Sequence, residues 1–150
     1  MRILDLILDR ISETQLFEMA FRRKEALSHA LHLSDQISMH IIKVLMYGQC
    51  EHTNQWCQEI DGWLRGIQRY RLKTNSKPLP YRDLLYLLHE GPLEHVSEVQ
   101  DKMNEIFADY PSLIIVQPDA AQIHKQLLEL YSRICLDISQ EKFKTLTDYL

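Results

Sequence analysis

The stretch Trp56–Tyr70, WCQEIDGWLRGIQRY, constrains the fold more than any other part of the chain. Its large apolar residues Trp56, Ile60, Trp63, Ile67 and Tyr70 are spaced four, three, four and three apart. That spacing marks one face of an α-helix and puts both tryptophans of the chain on a single stripe. A stripe of this bulk has to be covered, so Trp56, Ile60, Trp63 and Ile67 are expected to be buried against at least two further helices. Gly62 and Gly66 lie four apart on an adjoining face. A second element or a second copy of the chain can come close there, at about 1 kcal/mol of helix propensity per glycine.

The flanking segments read as helices too. Met1–Ile11 has a helical pattern with Asp5 and Asp9 outward, and Ser12 with Gln15 has the form of a capping box. Thr14–Tyr47 contains no Gly or Pro, so one long helix is expected; the alternative is a break at Leu33-Ser34-Asp35, with Ser34 capping a new start. Gly48 is placed to stop it, and Thr53 to cap the tryptophan helix. Thr74–Leu79 is a loop. Pro80 opens a helix to about Glu90, and Pro92 opens another carrying Val96, Val99, Met103, Ile106 and Tyr110. Ser112–Gln117 reads as a short buried extended stretch. Asp119–Ile138 carries Ile123, Leu127, Leu130, Ile134 and Ile138 in line, and Phe143, Leu146 and Leu150 continue the period. With 4 Gly and 5 Pro in 150 residues, a turn-rich β-sandwich is a poor match. The fold expected is all-α: a single domain, 1–150, forming an antiparallel bundle of five to six helices.

Charge is divided unevenly. The segment from Gly62 to Arg82 holds six bases and no acid, while the rest of the chain holds 11 bases against 21 acids, a net of −10. Arg65, Arg69, Tyr70, Arg71, Lys73, Lys77 and Arg82 are therefore the candidate binding residues. Such a cluster, with Tyr70 and Tyr81 interleaved, has the chemistry of a phosphate-binding strip. It equally complements the acid-rich C-terminal part, or the acidic surface of a protein partner. The strongly negative remainder opposes long polyanions, which favours the protein partner over nucleic acid.

Other constellations are weaker. Glu25, His29 and His32 share a helix face, but Glu-x-x-His occurs nowhere in the chain, so the pattern is half of a bundle metal site at best. Cys50, His52 and Cys57 lack the paired spacing of a zinc knuckle. The acids Glu90, Glu94, Glu98, Asp101 and Glu105 step along one helix as a solvated face. Neither a nucleophile elbow nor a Gly-rich phosphate loop is present. Three cysteines without a visible secretory leader suggest free thiols in a reducing, cytoplasmic compartment.

Together these features suggest a small protein-interaction module of bacterial type, such as an adaptor, antitoxin-like or immunity-like protein, with no cofactor and no catalytic residues. A homodimer is expected, because a two-fold axis would bring the glycine strip and the opposed charge patches of two chains together. A nucleic-acid-binding protein using residues 65–82 is the first alternative, and a metal-dependent bundle enzyme the second. No membrane association is expected.

Overall fold

The frame is set by where one long helix has to stop. In the computed structural model the described residues are 23–69, 81, 85, 88, 93–116 and 119–150, with side chains described from residue 32 to 66 in the first of these segments. They form α1 (Arg23–Tyr47), α2 (Thr53–Arg69), α3 (Val96–Asp109), α4 (Ala120–Ser139) and a final 3₁₀ turn (Leu146–Tyr149). Four α-helices, not five or six, are present among the described residues, and no strand accompanies them. The helices expected over Met1–Ile11 and Pro80–Glu90, and the loop Thr74–Leu79, lie outside these residues or are described only at isolated positions.

α1 passes through Leu33-Ser34-Asp35 without a break. Ser34 is buried within the helix and starts no new one. The helix ends at Gly48, whose φ of +62° is the left-handed conformation that glycine adopts without a Cβ clash. Its N–H donates to the carbonyl of Val44 at 2.8 Å, closing an αL cap. A Cβ added at Gly48 would stand 3.1 Å from Val116 Cγ2, so space as well as backbone angle selects glycine here.

Thr53 does not cap α2 in the expected way. Its Oγ1 accepts from the Cys50 N–H at 2.8 Å and donates to the Gly48 carbonyl at 2.6 Å. The hydroxyl thus ties the short connection back onto the end of α1. With the linker clamped, α2 folds back antiparallel to α1. Tyr47 meets Trp56 near the corner, and His40, two turns earlier, meets Glu59 and Trp63. α3 runs parallel to α1: Asp35 pairs with Lys102 at 2.6 Å, and Tyr47 reaches Tyr110. It starts at Val96 and not at Pro92, because Glu98 turns back to accept the His95 N–H at 3.3 Å. In α4, Asp119 accepts from Ala121 N–H at 2.9 Å, an N-cap that precedes the expected stripe.

A single apolar core joins all four helices and the 3₁₀ turn. Ile37, Ile41 and Ile42 of α1, Ile60 and Leu64 of α2, Val99 and Ile106 of α3, and Ile123, Leu127 and Ile134 of α4 are all essentially inaccessible to solvent. One polar network crosses it. Ser38 Oγ donates to the Leu88 carbonyl at 3.3 Å, which leaves Tyr131 OH, 2.8 Å away, as donor to Ser38. Burial raises the Tyr131 pKa far above its ordinary value and keeps that donor protonated. Within α2, Trp56 and Ile60 are buried as expected, while Trp63 is only partly so and rests edge-on against His40. The stripe is wider than the groove that covers it.

Trp56→Ala should therefore cost about 3–5 kcal/mol, the range for a fully buried aromatic, and Trp63→Ala distinctly less. Chemical denaturation of the two variants measures this. Equal losses would show that the outer tryptophan is as well packed as the inner one.

Candidate interaction site

Of the bases in the basic segment, only Arg65 has a described side chain; Tyr81 is partly buried and packs against the core. Arg65 is exposed, yet its Nε and Nη2 donate to the carbonyl of Lys144 at 3.2 and 3.0 Å. Next to it Asp61 accepts the Leu146 N–H at 2.6 Å. α2 thus fastens the C-terminal turn through a cation and an anion, and Arg65 is engaged with the fold. The side chain of Arg69, and Tyr70, Arg71, Lys73, Lys77 and Arg82 entirely, lie outside the described residues. Among the described residues, apart from chain neighbours and the helix's own backbone, no atom comes within 4 Å of a Cβ built on Gly62 or Gly66.

The histidine and cysteine candidates do not converge. His32 is exposed, and the side chains of Glu25 and His29 lie outside the described set. Cys57 is buried in the core and Cys50 sits in the α1–α2 connection. His52 stacks on Trp56, with centroids 5.4 Å apart. Among the described residues no three His, Cys, Asp or Glu side chains are placed to share a metal ion.

The structure instead assembles a group of rings that the sequence scatters. Tyr47 of α1, His52 of the connection, Trp56 of α2 and Tyr110 at the end of α3 surround one another, with neighbouring centroids 5.3 to 6.3 Å apart. Over them lies the ammonium of Lys43, 5.7 Å from the Trp56 ring and 5.5 Å from that of Tyr110. A cation held between two π faces contributes about 0.5–2 kcal/mol, more as water is excluded. Burial lowers the Lys43 pKa from its ordinary value, while the charges of Glu59 and Asp109 work the other way. Tyr47 OH donates to the Tyr110 carbonyl at 3.1 Å. The box is filled from within the chain, and what it accomplishes is to fix Tyr110.

With Tyr110 fixed, the segment after it is placed as well. Past the turn at Pro111-Ser112 the chain forms no helix or strand and bends at Leu113 and Val116, where the Val116 N–H donates to the Met46 carbonyl at 2.6 Å. The segment is therefore pinned at both ends against the last turn of α1. Between the pins, exposure alternates from residue to residue. Leu113 and Ile115 pack against the core, whereas Ile114 is 83% and Val116 52% exposed. Of the buried stretch expected at Ser112–Gln117, Leu113 and Ile115 are partly buried, Ser112, Ile114 and Val116 are exposed, and Gln117 lies outside the described residues. Phe107, 45% exposed, adds an aromatic edge one turn before Tyr110.

Comparison with protein-family models, with curated proteins and with solved structures yields no match. Any functional reading therefore rests on the geometry of the chain itself.

The thiols provide a direct check on the placement of the connection. Burial raises the pKa of Cys57 and of Cys135, so both stay protonated and unreactive at pH 8. Cys50 is partly exposed. Titration of the native protein with a chromogenic disulfide at pH 8 should release one equivalent of reporter promptly and three after unfolding. Three prompt equivalents in the folded protein would contradict the packing of α2 and α4.

Proposed function

We propose that the protein is a small helical protein-interaction module, acting by recognition, whose docking element is the segment Leu113–Val116. The observation that carries this reading is Ile114, 83% exposed on a short non-helical stretch held at both ends. An exposed apolar segment outside any helix can be taken up as a strand by another chain. Here the aromatic box and the Met46 carbonyl order it in advance, so little entropy remains to be lost on docking. A mobile loop with the same residues would lose that advantage.

The partner we propose is a second copy of the chain. Antiparallel pairing of Leu113–Val116 with itself about a two-fold axis sets Ile114 and Val116 of each chain beside those of the other. The strip at Gly62 and Gly66, which has no described neighbour within 4 Å, is the place we propose for a further protein surface. A nucleic-acid role for residues 65–82 is less favoured, since Arg65 is spent on the Lys144 carbonyl. Free thiols at Cys50, Cys57 and Cys135 suit the reducing cytoplasm that we propose as the site of action.

Sedimentation tests the pairing. The wild type should sediment at twice the 17.8 kDa of one chain, and Ile114→Lys should return it to the single-chain mass. The substitution should change stability by no more than about 0.5 kcal/mol, because the site is exposed in the monomer. A wild-type chain that stays monomeric up to ~100 μM would overturn the reading, since a specific interface of standard size associates well below that concentration.

A further inference from the structure

Residues 142–150 form an arm that turns back along α4 and lies against α2. Phe143 and Leu146 are buried, and Phe143 stacks on Tyr149 with centroids 5.9 Å apart. Charged side chains of the two helices hold the arm. Asp61 accepts the Leu146 N–H, Arg65 donates to the Lys144 carbonyl, and Arg133 donates to the Tyr149 carbonyl at 3.3 Å. Arg133 also lies 5.2 Å from the Tyr149 ring, whose hydroxyl donates to Asp137. All these charged groups belong to α2 or α4, so an arm from a second copy of the chain satisfies them as well as the chain's own.

The arm is joined to α4 by a short hinge, and the hinge is strained. α4 stops at Ser139, after which the Glu141 N–H donates to the Ile138 carbonyl at 3.0 Å and the Lys142 N–H to the Asp137 carbonyl at 2.7 Å. This pair of bonds is a Schellman stop, whose left-handed position is usually glycine. Here Glu141 occupies it at a φ of +59°, where a Cβ crowds the following carbonyl oxygen. No breaker in the sequence demands the stop. Neither glycine nor proline occurs from Ala120 to Leu150, and Gln140, Glu141 and Lys142 are good helix formers. α4 is therefore able to run on through the hinge once the arm leaves its groove. Running on leaves Phe143 and Leu146 in water unless a second groove receives them.

A strained short hinge carrying an arm that docks on the body of the chain is the arrangement that favours exchange between copies. We propose that two copies of the chain exchange residues 142–150, each arm occupying the α2–α4 groove of the other while Glu141 leaves the left-handed region. The exchanged pair rebuilds the contacts of the single chain and relieves two strained hinges. Ile114 takes no part in it, so Ile114→Lys separates this exchange from the pairing through residues 113–116.

The test uses full-length Ile114→Lys, concentrated, carried through partial thermal unfolding and cooled. Sedimentation should then show a species of twice the 17.8 kDa of one chain beside the monomer. In a dimer assembled from labelled and unlabelled chains, isotope-filtered NMR should show the Tyr149 ring of one chain against the Arg133 side chain of the other. Glu141→Gly relaxes the stop and should lower the dimer-to-monomer ratio at least about tenfold. Glu141→Ala keeps the left-handed penalty and should leave the ratio within about threefold. Both variants lose the carboxylate, so their difference reads the backbone alone. An Ile114→Lys chain that returns wholly monomeric overturns the exchange, whatever the wild type does. Equal responses to glycine and alanine, or Tyr149–Arg133 contacts confined to one chain, also overturn it. A wild-type dimer that survives Ile114→Lys with crossed contacts upholds the exchange and overturns the pairing.

Discussion

The last carbonyls of α1 must find donors, and the way they do so determines much of what surrounds them. A helix end leaves several backbone acceptors unsatisfied by its own turns. In this protein Gly48 bends the chain so that its N–H covers Val44, Thr53 covers the carbonyl of Gly48, and Val116 covers that of Met46. Each donor comes from a different place along the chain. The Gly48 turn stops the helix, the Thr53 hydroxyl sets the direction of α2, and the Val116 N–H fixes the strap that joins α3 to α4. Three helices are therefore referenced to one corner, and Val44, Gly48, Thr53 and Val116 line a cavity beside it.

Local signals in the sequence pointed to much of this frame. The stripe of α4 is buried at all five expected positions, because one helix face and one core share a period. Gly48 was recognisable as a stop, since only glycine takes a left-handed φ freely. Other features depended on partners that no local pattern names. Thr53 reads as an N-cap, and a hydroxyl at a helix start does commonly serve the following turn; here the competing acceptor at Gly48 lay behind it. Ser112–Gln117 reads as buried because Leu113 to Val116 are all apolar, but a single segment laid over one core covers only the side chains that face it, here Leu113 and Ile115. Trp63 shares its spacing with Trp56, and spacing cannot tell the middle of a stripe from its margin.

The candidate site was the least legible part. Lys43, Tyr47, His52, Trp56 and Tyr110 come from four separate segments, with Tyr47 and Tyr110 more than sixty positions apart. Net charge drew the eye to residues 65–82, where Arg65 serves the Lys144 carbonyl. The one available hint was compositional: a run of branched apolar residues standing alone among segments that read as helices. Such a segment has nothing of its own to pair with, and the structure leaves it presented outward.

The strap between Tyr110 and Val116 has a further consequence. Its two ends are anchored to fixed points on α1, so its span, more than its composition, is what the fold constrains. Inserting or removing one residue would reverse the alternation. Ile114 would then turn inward and Ile115 outward, with little change in hydrophobicity and both anchors still in reach. Drift in side-chain identity would preserve the face shown to a partner, whereas a single-codon change in length would exchange it for the other.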